Sequence, residues 1–142
     1  MEDCGRSDGA DGLRTALSER GWVWAIVCGH SMVPTLRHGD LVRVAPIVDI
    51  RPGDVVVFVH RGRILQHRVL SVSGDGVLCR GDNMPSADAP VPRAAVLGKS
   101  IEVAGRGRVP DGPWALVSAR RRHVWNWVRG KYAVVRGRSP AT

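Results

Sequence analysis

A mainly β fold, antiparallel and partly closed, with short terminal helices, is what this sequence predicts, and three observations predict it. Val-rich runs recur along the chain, Gly, Pro and Asp turns separate them, and 142 residues with 44% hydrophobic content suffice for one core and one domain. The runs are Leu41–Ala45, Asp54–Val59, Ile64–Val72, Gly76–Arg80 and Leu97–Val103, each with the β-branched enrichment of a strand. Trp22–Cys28 reads as a further short, buried strand that Gly29 ends. Ser73-Gly74-Asp75-Gly76 is a hairpin signal, because glycine supplies the positive φ that tight hairpin turns require, and His60-Arg61-Gly62-Arg63 reads as a second hairpin tip. Ahead of the strands, Asp11–Arg20 predicts a lead-in helix with Asp11 as cap and Gly21 as stop.

Three segments follow in chain order. Residues 1–12 are acidic and Gly-rich and are expected to be disordered; residues 13–112 are expected to form the one folded domain; residues 113–142 form a basic, Trp- and Arg-rich segment. That last segment, with Trp114, Trp125, Trp127 and Tyr132 among arginines, suits contact with an anionic membrane surface, and suits equally a helix packed on the β core with its arginines solvated. The net charge of +8 permits nucleic-acid contact, but no nucleic-acid fold motif supports it. The longest apolar run, Trp22–Cys28, is far short of the roughly 20 residues that cross a bilayer. Cys4, Cys28 and Cys79 show no pairing pattern and no metal-ligand spacing, so no metal or other cofactor is expected, and the pattern fits a reducing compartment.

The chemistry concentrates at Gly29-His30-Ser31-Met32-Val33-Pro34-Thr35, which sets one serine on a Pro-bounded turn after an apolar run. A serine hydroxyl is a weak nucleophile at neutral pH and needs a base and a place for the oxyanion. A lone serine in a turn is more often structural than reactive; the segments around it alter that weighting. They are Gly39-Asp40-Leu41-Val42, Arg51-Pro52-Gly53-Asp54-Val55-Val56-Val57-Phe58, Gln66-His67-Arg68-Val69-Leu70, Arg80-Gly81-Asp82-Asn83 and Val96-Leu97-Gly98-Lys99.

In order and spacing this series resembles the type I signal peptidases, over roughly residues 27–103. The resemblance is closer to the Ser-His branch of the endoplasmic reticulum and archaea than to the Ser-Lys branch, because histidine stands at position 67 where the Ser-Lys enzymes carry their lysine base. The only lysines are Lys99, beyond the Gly-Asp-Asn segment, and Lys131, in the basic tail. The resemblance implies Ser31 as nucleophile, His67 as general base and Asp88 as the third member, with Asp82 the alternative. It also implies an extended peptide bound by strand addition along a sheet edge, with small residues before the cut bond. His30 is expected to line the cleft, whereas His38 and His60 lie in turns and His123 in the tail; Asp40, Asp54, Asp75 and Asp82 look mainly like turn formers.

These readings lead to a serine endopeptidase that removes a leader or signal segment from a precursor polypeptide. Signal peptidases are mostly membrane-anchored and this chain lacks an apolar span, so a cytoplasmic enzyme is expected, with peripheral membrane contact through the tail as a second reading. The alternatives are a non-catalytic peptide-binding module of the same fold and a self-cleaving protease like the SOS-repressor autoproteases, which share the Ser-Lys version of the fold.

Overall fold

Valine and its β-branched relatives hold their side chains stiffly on a pleated surface, and in the computed structural model, which describes residues 9–119, their runs pair into one curled antiparallel sheet. Its strands are β1 (Val23–Ile26), β2 (Leu41–Ala45), β3 (Val55–His60), β4 (Arg63–Ser73), β5 (Gly76–Arg80), β6 (Val91–Pro92), β7 (Val96–Val103) and β8 (Gly107–Arg108). They lie in the order β1-β2-β7-β3-β4-β5-β6, with β8 added to β7. Registers shift at Arg43/Val44, Val57/Phe58 and Val69/Ser71. An irregularity of this kind bends its strand and increases local twist, which is how the sheet curls into a half-barrel.

Both faces of the sheet are covered. Val55 and Val57 join Val42, Val44, Leu36, Met32 and Leu97 in one core, and Val56 and Phe58 join Val69, Val77, Cys79 and Val91 in the other. Burial on both faces explains why Val55–Phe58 is continuously apolar instead of alternating. β1 corrects the expectation of a buried strand. It is a sheet edge with alternating burial, and Trp22, Trp24 and Ile26 stay 41, 41 and 65% exposed.

Helix α1 spans Ala10–Arg20 and seals the first core with Ala10 and Leu17. Its start corrects two expectations. Gly9, with no side-chain cap, precedes the first turn, Asp11 lies within that turn, and residues 10–12 are helical. Gly21 ends the helix as expected, at φ 80°, with its N–H donating to the Leu17 carbonyl at 2.9 Å. A second helix, α2, covers residues 112–119, so the boundary expected after Gly112 falls at a helix start. Trp125, Trp127, Tyr132 and the arginines of the basic tail lie outside the described residues. Among the described residues no helix is long and apolar enough to cross a membrane. Cys28 is disulfide-bonded, which the cysteine spacing did not suggest, and Cys79 is a buried free thiol.

Lys99 ties α2 to the sheet. Its ammonium reaches Asp54 Oδ1 at 2.9 Å and Asp111 Oδ2 at 2.8 Å. Partial burial works against the Lys99 charge, but the bonds to Asp111 and Asp54 outweigh it and raise the lysine pKa; the Lys99 hydrogen bond in turn lowers that of Asp111. A depressed carboxylate contributes stability above its unfolded value, about 3.9, and loses it as pH falls through the folded value; a raised lysine contributes below about 10.4 and loses it as pH rises through its own. Lys99→Met is therefore expected to lower stability through the neutral range. Urea unfolding of both proteins should show that deficit shrinking at acid and at strongly alkaline pH, and a deficit of constant size would reject the electrostatic account.

Candidate functional site

The candidate nucleophile stands on the long connection between β1 and β2, outside any helix or strand, so backbone and side-chain bonds must fix it. The Ser31 carbonyl accepts the Asn83 N–H at 2.8 Å, and the His30 carbonyl accepts Asn83 Nδ2 at 3.1 Å. Gly81 makes this approach feasible: a Cβ there would stand 2.5 Å from the Ser31 carbonyl oxygen and 3.1 Å from Ser31 Cβ. Met32, 2% exposed, anchors the turn from below, and its sulfur accepts the Asp82 N–H at 3.3 Å.

His67 lies inside β4, paired with Val56 of β3, and packs edge-on against Phe58 with ring centroids 5.9 Å apart. Its Nε2 is 3.1 Å from Ser31 Oγ and its Nδ1 is 2.5 Å from Asp88 Oδ2. An ionised carboxylate only accepts, so in the neutral imidazole Nδ1 carries the proton and Nε2 is left to accept from the serine hydroxyl. Asp88 is itself positioned by β5, since its N–H donates to the Cys79 carbonyl at 2.8 Å. The structure thus brings together Ser31, His67 and Asp88 in an order that suits proton removal from the hydroxyl.

Asp82, the alternative third residue, stands in a turn as expected, closed by the Met84 N–H on the Gly81 carbonyl at 2.9 Å, but its side chain is engaged elsewhere. Its oxygens take Arg68 Nε and Nη2, each at 2.9 Å, and Oδ2 also accepts the Thr35 hydroxyl at 2.5 Å. Arg68 is only 2% exposed and spends its remaining donor, Nη1, on the Gly53 and Pro110 carbonyls at 2.7 and 2.8 Å. Sequence reasoning passed over Arg68 and Thr35. The available signal was a charged residue directly after His67 in an otherwise Val-rich strand, where a guanidinium must find buried acceptors.

The other candidates separate cleanly. Lys99 is committed to two carboxylates, as described above. Burial, and secondarily the charge of Asp88, push the Cys79 thiol up to about 12, so it is no thiolate nucleophile at neutral pH. Asp40 and Asp54 are turn formers as expected, accepting the N–H of Arg37 and Arg51. His30 is exposed beside the serine and faces His38 across 5.7 Å. For an oxyanion, the Ser31 N–H makes no hydrogen bond among the described residues, whereas the Gly29 N–H is taken by His38 Nδ1 at 2.9 Å. Among the described residues no three His, Cys, Asp or Glu side chains converge to hold a metal ion.

A small cavity of about 50 Å³ adjoins Ser31, lined by Val27, Cys28, Gly29, Met32, Leu65 and Gln66. Beside it β4 is half-paired: residues 63–68 pair with β3, but β5 pairs with β4 only from Arg68 onward. The outer backbone edge of residues 63–67 is therefore not taken by β5.

A serine, an imidazole and a carboxylate in this geometry on a curled antiparallel sheet define a serine-peptidase-type hydrolase. The Peptidase S24-like family matches residues 12–107, and the chain belongs to that family. It is a broader assignment than the Ser-His signal-peptidase branch expected from the motif order, since it takes in signal-peptidase-like proteins generally. No curated protein matches the chain.

The two aspartates should separate in stability. Asp82→Ala leaves a buried guanidinium uncompensated and is expected to cost about 3–5 kcal/mol. Asp88→Asn keeps volume and hydrogen-bonding capacity at a partly open position and should stay within about 1.5 kcal/mol of the parent. Chemical denaturation of both variants decides, and the reverse ranking would remove Asp82 from its structural role.

Proposed function

We propose that the chain is a serine endopeptidase that cuts a precursor polypeptide after a small residue, freeing a leader or signal segment. The observation that carries this is the continuous line from Ser31 Oγ through the His67 ring to Asp88 Oδ2, at 3.1 and 2.5 Å. His67 Nε2 takes the hydroxyl proton as Ser31 Oγ attacks the peptide carbonyl. The tetrahedral oxyanion turns toward the Ser31 N–H, and the imidazolium, steadied by Asp88, gives its proton to the leaving amine. Water then enters with His67 again as base, and hydrolysis of the acyl-serine restores the hydroxyl.

The cleft supports an extended polypeptide as substrate. The unshared edge of β4 beside His67 offers backbone groups to an extended chain, the mode in which main-chain bonds give affinity and alternate side chains enter pockets. The cavity beside Ser31, of about 50 Å³, is small, which favours Ala, Gly or Ser before the cut bond. The S24-like family match gives weight to a second reading, cleavage of the chain's own backbone at such a residue.

Both readings depend on the same serine. Ser31→Ala should lower cleavage of Ala-containing peptides by about 10³-fold or more while leaving the melting temperature close to the parent value, and His67→Ala should do nearly the same. A folded Ser31→Ala protein with parental turnover would remove the peptidase reading. Intact mass after incubation separates the modes: fragments of the wild-type chain forming at a rate independent of its concentration mark self-cleavage, and an intact chain that cuts added peptides marks action on a separate precursor.

A further inference from the structure

The residues before Ser31 are held by an imidazole that the chemistry above does not use. Val27 and Gly39–Asp40 zip the two ends of the long connection together, with Val27 N–H on the Asp40 carbonyl and Gly39 N–H on the Val27 carbonyl, both 2.9 Å. Beyond this zip comes Cys28, which is disulfide-bonded, and then a side-chain contact: His38 Nδ1 accepts the Gly29 N–H at 2.9 Å. Gly29 lies two residues before the nucleophile at φ 85°, a conformation few side chains tolerate, so its position depends on what holds its amide.

We propose that His38 is a positioning residue for Ser31, and that it performs this role only with Nδ1 unprotonated. The inference rests on Ser31 being the nucleophile. A neutral imidazole with its proton on Nε2 accepts the Gly29 N–H, whereas an imidazolium presents N–H to N–H and the contact becomes repulsive. Protonation therefore removes the hold on Gly29, the link between the disulfide-bonded Cys28 and the turn that carries the nucleophile. The charged and titratable groups around His38 are few among the described residues. The His30 ring faces it at 5.7 Å and 41°, Arg37 flanks it in sequence, and the Asp40 carboxylate is occupied by the Arg37 N–H and the Arg106 guanidinium. A charged His30 beside a charged His38 adds like-charge repulsion, so acid loosens this loop twice over.

The consequence is a second proton on the acid side. One proton inactivates His67 as base; another on His38 displaces the hydroxyl that His67 serves.

The test uses the full chain and the variants His38→Asn and His38→Phe. Asn places Oδ1 at the same bond count from Cα as histidine Nδ1, accepts the same N–H and does not titrate; Phe keeps the ring and removes the acceptor. Two readouts are taken across pH: the Gly29 amide shift by ¹⁵N NMR, and the rate at which a fluorophosphonate labels Ser31. The Gly29 amide should titrate together with the His38 ring in the wild type and lose that titration in His38→Asn. Labelling should fall toward acid with a slope approaching two protons in the wild type and one in His38→Asn. At about pH 8 His38→Asn should label within about twofold of wild type and His38→Phe about fivefold slower or worse, the worth of one neutral hydrogen bond. A Gly29 amide that ignores His38, or equal slopes in wild type and His38→Asn, overturns the proposal. Absence of labelling at every pH instead counts against the peptidase reading, and the Gly29 titration then decides the loop anchor by itself.

Discussion

A guanidinium has five N–H donors in a fixed plane and no acceptor, and burying one without partners is among the costliest things a fold can do. Arg68 is nearly inaccessible, and the chain around it is arranged to meet that demand. Asp82 closes a two-bond fork on it, while the carbonyls of Gly53 and Pro110 converge from the approach to β3 and the approach to α2. Thr35 joins through Asp82, so the connection that carries Ser31 is bound to the same centre. Four separated stretches of chain are thereby registered by one side chain. Successive residues of a strand point to opposite faces, so fixing Arg68 on one face of β4 fixes His67 on the other.

The two aspartates of one loop illustrate how environment assigns roles to identical groups. Asp82 is almost fully buried, its charge is balanced by Arg68, and its oxygens take that guanidinium and the Thr35 hydroxyl instead of an imidazole. Asp88 is partly open and is fixed by its own backbone on β5, so its carboxylate is available to His67. An orienting carboxylate must accept from the imidazole and stay ionised; a structural one must satisfy a cation. Neither position can do both.

Much of the architecture was legible because valine runs and glycine turns are local signals. β2 and β5 were read with their observed bounds, and β3, β4 and β7 were displaced by one residue at one or both ends. The two-residue strands β6 and β8 have no run to read. The edge strand β1 was misread as buried because apolar composition does not say which face is covered. Of the candidate site, the grouping of Ser31, His67 and Asp88 was legible through motif order. The site was illegible in the side chain of Asp82, which sits in a turn as read but whose partner lies 14 residues back in a strand. His38 was placed correctly in a turn, but an acceptor role for a ring nitrogen toward a backbone N–H nine residues away leaves no trace in sequence.

The segment bearing Ser31 belongs to no helix or strand, so the regular ladder of a sheet cannot hold the nucleophile in place. It is held instead from two sides by different chemistry. On one side Asn83 and the bare backbone of Gly81 press against the Ser31 carbonyl, a contact that does not change with pH. On the other, His38 holds Gly29 through a nitrogen that can acquire a proton. The permanent contact grips Ser31 itself and the titratable one grips the strand exit before it. Loss of the second would loosen the two residues between the disulfide-bonded Cys28 and Ser31 while the first contact still tethers the serine. Such motion weakens a 3.1 Å bond to His67 without unfolding the core, because Arg68 and Asp82 keep the sheet in register whatever the state of the loop.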